Sequence, residues 1–290
     1  MVLLGMGLAM LFLHGCDDDK QGLEITFPNT QQTTWQYNLF ELNLEDTTRV
    51  GEIYLVNVEK LSYEGRADIL RQRKFRLLDS LQNSPDSVQV FSTYLDLNQK
   101  FQFDLFADDF YGMFETMLNE RVMDTLTAQN RDGDDYQEFF DFEPGWVPFA
   151  VFDQGSNVSY KVHRQERFFL DFYLRDHHIT GHVDLFTSGL FTGFDRLNTP
   201  LGDSVFTYRF KQTSYMDFSL QRDSVTIPPF RETLSMTTWL HPDAGIIKRT
   251  RSPFALNIPS IPSRGPAIFD PGEMWKLQNI EGFDFSEITQ

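Results

Sequence analysis

Cysteine is almost missing from this chain: one residue, Cys16, in 290. No internal disulfide can form, and a zinc site built from several thiolates is excluded. Positive charge is scarce too, with 25 Lys and Arg against 42 Asp and Glu and a formal net charge of -17. Within a screening length of about 8 to 10 Å such a chain repels phosphate backbones, so nucleic acid is not expected as a partner. There is no Gly-x-Ser-x-Gly elbow, no glycine loop that cradles phosphate ahead of a helix, and no His-Glu-x-x-His pair of ligands. Long apolar runs are also lacking. The longest, Val2 to Leu13, has 12 residues and reaches about 18 Å as a helix, short of a hydrocarbon layer about 30 Å thick.

What is abundant is ring carbon. Aromatics make up 15% of the chain and Phe alone contributes 29 residues, while overall apolar content is an ordinary 41%. That balance favours a core filled by rings from many strands. The hydrophobic pattern agrees. Thr33 to Leu42 alternates Trp35, Tyr37 and Leu39 with polar residues, the period of a half-buried strand. Glu52 to Leu61, Ser87 to Leu97, Lys100 to Phe106 and Tyr160 to Leu174 read as further strands. Val183 to Leu190, Val205 to Phe210, Tyr215 to Leu220 and Thr233 to Leu240 continue at short intervals, as in an antiparallel sheet rather than repeated β-helix-β units. One segment changes period: Phe110, Phe114, Met117, Leu118, Val122 and Leu126 predict a helix over Asp108 to Leu126. Five prolines between Pro253 and Pro271 predict an irregular strap across the sheet, with Ile258, Ile261, Ile268, Phe269 and Trp275 as its contacts. No repeat or linker divides residues 33-290, so a single domain is expected, mainly β with minor α.

The lone thiol sits where character changes abruptly, from the apolar run to Asp17, Asp18 and Asp19. Leu13-His14-Gly15-Cys16 resembles the lipobox of bacterial lipoproteins, with His14 at a position usually held by a small residue. No Lys or Arg precedes the run, so the positive segment expected of a leader is missing and the start residue is in question. The resemblance implies removal of residues 1-15, lipid on Cys16, an acidic tether over residues 16-32, and a place in the cell envelope on the periplasmic or surface face of a membrane. Acylation at more than one point gives firm anchoring where a single chain is marginal.

Three groups of residues invite chemistry. Asp176-His177-His178-Ile179-Thr180-Gly181-His182-Val183-Asp184 holds ligand types suited to zinc or iron. Read as a hairpin tip about Gly181, it places only His178, His182 and Asp184 where they converge, and a solvated turn is the expected outcome. Asn130 to Asp135 has part of a calcium loop, but the twelfth position is Asp141 and the glycine is misplaced, so an acidic surface loop is expected. Pro242-Asp243-Ala244-Gly245 supplies a fixed φ, a side-chain acceptor and a residue free to take positive φ, the ingredients of a tight turn. Lys248, Arg249 and Arg251 beyond it are expected on the wet face. No cofactor is expected.

Phe27-Pro28 with Thr34-Trp35-Gln36-Tyr37, and Thr237 through Arg249 with its Gly245-Ile246-Ile247-Lys248, resemble the opening and closing segments of secreted bacterial lipoproteins of the TapB-like group. A more distant similarity is to the carriers LolA and LolB. The resemblance implies a curved antiparallel half-barrel partly closed by helices, and brings no catalytic residues. The leading expectation is a non-catalytic lipoprotein that binds a lipid or a partner's hydrophobic segment in the concave face, lined by Trp35, Tyr37, Phe101, Phe103, Phe168, Phe172 and Trp239. The alternative is an assembly lipoprotein with a filled core, meeting another envelope protein. A metal-dependent hydrolase built on His178, His182 and Asp184 comes third.

Overall fold

A computed structural model describes residues 31-43, 46-79, 88-97, 102-106, 145-152, 157-174, 177-259 and 268-282, with the side chains of 163-165, 172-174 and 268-269 left out. The leader, Cys16 and the tether, the helix expected over Asp108 to Leu126 and the acidic loop at Asn130 to Asp135 lie outside the described residues.

The described chain is nearly all strand, in one antiparallel sheet that curls into an almost closed barrel. A first meander holds β1 (Thr34–Leu42), β2 (Thr47–Tyr63), β3 (Arg66–Leu78), β4 (Val88–Asp96), β5 (Gln102–Phe106) and β6 (Trp146–Val151). A second holds β7 (Ser159–Leu174), β8 (His177–Thr199), β9 (Gly202–Arg222), the short β10 (Val225–Thr226), β11 (Phe230–His241) and β12 (Gly245–Arg251). After a small ribbon of β13 (Phe254–Leu256) and β14 (Ile268–Asp270), β15 (Gly272–Glu281) pairs with β1 on one side and β12 on the other. The last strand therefore joins the two meanders. Of the strap expected from the prolines, residues 260-267 lie outside the described residues, and Trp275 belongs to β15. Once past Pro271, alternation resumes in the sequence and a full backbone ladder becomes available.

The barrel closes between β6 and β7 through side chains. The Tyr160 hydroxyl on β7 donates to the Phe149 carbonyl on β6 at 3.1 Å, and Gln212 Nε2 donates to the same oxygen at 3.4 Å. Gly189 makes room for this bridge, since a Cβ there would come within 2.2 Å of the Tyr160 ring. Burial pushes the Tyr160 hydroxyl well above the ordinary phenol range, so it stays a donor.

Two short expected strands, Val205 to Phe210 and Tyr215 to Leu220, are parts of one continuous β9. The polar stretch between them reads as a break in the sequence, yet Gln212 and Ser214 are buried and point inward. Thr187 and Ser214 share a 2.7 Å hydrogen bond, and Gln72 donates to Asn57 at 2.8 Å. The interior therefore holds buried polar side chains, of which Thr187 with Ser214 and Gln72 with Asn57 pair with each other, while Gln212 Oε1 has no hydrogen-bond partner among the described residues.

The Pro242 turn forms as expected. Gly245 adopts φ +81°, and His241 Nδ1 accepts the amides of Asp243 and Ala244 at 3.1 and 3.2 Å. Beyond the turn, alternation turns only Lys248 outward. Arg249 and Arg251 face the interior, against the expectation that all three are wet, because a strand sends successive residues to opposite faces.

Candidate functional site

The two ends of the barrel differ. Because every neighbouring pair is antiparallel, the start of β1, the Pro242 turn, the end of β15 and the β8–β9 turn all lie at one end, called here the entry end. The loops before β4 and after β12 lie at the other.

Trp35 and Tyr37, expected to line a ligand site, are 1% and 0% exposed. Their polar atoms are committed to backbone: Trp35 Nε1 donates to Ala244 O at 2.7 Å and the Tyr37 hydroxyl to Ile246 O at 2.9 Å. They span from β1 to the Pro242 turn and to the start of β12, ahead of the residues that β15 pairs with. Phe168 is buried on β7. Phe101 lies outside the described residues, as does the side chain of Phe172. Trp239 is on the outer face, where its indole donates to Asp195 Oδ2 at 2.7 Å and Lys248 Nζ lies 4.6 Å from its ring centre. It does not join the others.

Phe103 is different. Its ring meets Phe152 at 5.5 Å, Phe152 meets Phe210 at 4.9 Å, and Phe210 meets Phe191 at 5.3 Å. From Phe191 the contacts continue to Phe194 at 5.2 Å and from Phe194 to Phe206 at 5.0 Å, with Tyr208 touching both of the last two rings. Edge-to-face and offset contacts of this kind add to ring burial. Phe103 and Phe210 are each 2% exposed, whereas Phe206 is 37% and Phe194 is 53% exposed. A continuous aromatic ladder thus runs along the inner face from the core out to solvent at the entry end. Gly193, at φ +112° with a register shift between Phe191 and Gly193, is the bulge that keeps Phe194 on the same face as Phe191. The signal was present in the sequence as Phe191-x-x-Phe194 and Phe206-x-Tyr208-x-Phe210, but the first spacing breaks alternation and hides the pairing.

At the opposite end the interior is charged. Glu273 pairs with Arg76 at 3.0 Å and accepts from the Trp275 indole. Arg251 meets Asp270, and Lys74 Nζ and Arg249 Cζ lie 5.9 and 4.8 Å from the Trp275 ring centre. Arg249 also stacks across the barrel on Phe149 of β6 at 5.2 Å. Burial alone pushes the Glu273 carboxyl up, but Arg76, Arg251, the Trp275 indole and Lys74 together outweigh it and leave the group below its ordinary range.

The histidine cluster is not a turn tip. It opens β8, and Gly181 sits within the strand at φ +146°, against the Ser219 carbonyl. His178, His182 and Asp184 share the outer face but have different company: His178 Nε2 contacts Asp171 at 2.7 Å, Asp184 takes both nitrogens of Arg167 at 2.7 and 2.8 Å, and His182 lies by the Phe169 ring. Among the described residues no group of three or more His, Cys, Asp or Glu side chains is placed to hold a metal ion.

No protein-family model matches the chain, and no curated protein matches it. Solved structures that match the chain include two at low identity. One is a candidate lipoprotein from Parabacteroides distasonis ATCC 8503, with 9% identity and a TM-score of 0.42, covering 89% of this chain and 98% of its own. The other is a candidate exported protein with a YmcC-like fold from Bacteroides fragilis NCTC 9343, with 10% identity and a TM-score of 0.39, covering 89% and 99%.

Proposed function

We propose that the chain is a cell-envelope lipoprotein, anchored to a bacterial membrane by lipid on Cys16, that acts without catalysis by binding an apolar ligand, an acyl chain or a hydrophobic segment, along the aromatic ladder. The observation that carries the reading is the unbroken series of rings from buried Phe103 to exposed Phe194. A ligand laid on the exposed rings at its mouth, Phe194 and Phe206, gains about 25 cal/mol for each Å² of apolar surface removed from water. The test is uptake of a fluorescent fatty acid by the purified protein, with mass spectrometry of any lipid extracted from it. Saturable uptake that Phe194→Ala with Phe206→Ala lowers at least tenfold supports the site; no uptake and no extracted lipid reject it.

A second reading, an assembly lipoprotein with a filled interior, is favoured by Trp35 and Tyr37, which are fully buried and hydrogen-bonded to backbone. It predicts no uptake together with capture of a specific envelope protein. The anchor itself is tested apart from either reading: radiolabelled palmitate should appear on the protein in its native cells, and Cys16→Ser should abolish the label and release the protein from the envelope.

A further inference from the structure

The β8–β9 hairpin is longer than its neighbours. β7 pairs with β8 no further than Leu190, and β11 pairs with β9 no further than Tyr208, while β8 and β9 go on pairing with each other to Thr199 and Gly202. The last turns of this ribbon carry Phe194 and Phe206, stacked 5.0 Å apart and both open to solvent. Of two charges beside them, Arg196 pairs directly across from Phe206 and shares the face of the rings, whereas Asp195 turns away. Asp195 lies on the outer face, held by Arg209 at 3.0 Å and by the Trp239 indole, and Arg196 donates to the Ser204 carbonyl across the ribbon.

The ribbon projects from the entry end, where the described chain begins at Gln31 and runs into β1. Fourteen residues lie between Cys16 and Gln31, and the fifteen Cα steps have a contour of at most about 54 Å. A lipid on Cys16 therefore tethers the barrel to the bilayer by this end. We infer that the ribbon is a second membrane contact, in which Phe194 and Phe206 seat in the interface of a neutral phospholipid surface and turn the mouth of the ladder toward the lipid. Neutral lipid is specified because a chain of net charge -17 is repelled by an anionic surface. Rings at the headgroup boundary suit an amphipathic interface. The inference rests on the anchor proposed for Cys16 and goes beyond ligand binding.

The test uses full-length protein purified from its native cells and placed in phosphatidylcholine vesicles. Since the single native thiol is consumed by lipid, a new cysteine takes a nitroxide label uniquely. Phe194→Cys is compared with Val225→Cys, a position 61% exposed on β10 at the opposite end. On vesicles the label at 194 should lose accessibility to an aqueous nickel relaxant at least threefold and gain accessibility to oxygen, and the label at 225 should change in neither. A label at 194 that stays open to nickel on anchored protein, or equal shielding at both positions, overturns the inference, as does shielding at 194 that needs an added envelope protein. Two labels by mass would show Cys16 free and so reject the anchor, an outcome separate from the fate of the ribbon.

Discussion

The two ends of the barrel use the same kind of inner face for opposite purposes. At the entry end rings touch rings and the row runs out into solvent at Phe194; at the far end Lys74, Arg76, Arg249 and Arg251 gather around Trp275 and are met by Glu273 and Asp270. The difference teaches where a stable core ends and a usable surface begins. Charges taken from water hold the fold only while each finds a counter-charge, so the far end tolerates little change. Apolar rings need no partner of fixed geometry, and the entry end can leave some of them exposed.

The largest effect should come from the charged end. Glu273→Ala leaves Arg76 and Arg251 without that carboxylate and should cost about 3 to 5 kcal/mol of unfolding free energy in urea titration. Trp35→Ala, which removes a buried ring and its bond to the Ala244 carbonyl, should cost a similar 3 to 5 kcal/mol. Gly189→Ala should cost about 1 to 3 kcal/mol, because the new methyl displaces Tyr160 and weakens the link from β7 to β6. By contrast Phe194→Ala should change stability by less than about 0.5 kcal/mol. A loss of several kcal/mol there would mean that the ladder is core to its tip and would erase the contrast between the ends.

Acid sharpens the comparison. His241, at the entry end, has its pKa lowered by burial, with Asp243 acting in the other direction, and its Nδ1 accepts two turn amides. Glu273 is lowered by its cations. Both groups bind protons more readily unfolded than folded, so each contributes stability that is complete above its unfolded pKa and is lost as pH falls. The His241 contribution should fade first, as pH drops below the ordinary value of 6.5, and the Glu273 contribution only below 4.5. Unfolding curves from pH 8 to about pH 2 should show two declines, and His241→Gln should remove the upper one alone.

The fold class was legible because period-two alternation in segments such as Thr33 to Leu42 is a local consequence of strand geometry. The position of β15 was not, since insertion between β1 and β12 is a long-range pairing that leaves no local mark. Val205 to Phe210 and Tyr215 to Leu220 were expected as separate strands because the polar residues between them bond to Phe149 and Thr187, partners remote in sequence. At the site, Trp35, Tyr37 and Phe103, expected to line the ligand face, are buried side chains. Trp239 is not, and Phe194 escaped notice because the Gly193 bulge resets the alternation. The facing of Arg249 and Arg251 followed from simple alternation past the turn, and only the assumption that charge means solvent concealed it.

The most direct measurement is titration of the purified protein with a fluorescent fatty acid, paired with the Phe194→Ala, Phe206→Ala variant. A binding ladder predicts saturable uptake by the native protein and at least tenfold weaker uptake by a variant of unchanged stability. Equal uptake by both, or none by either, would contradict it.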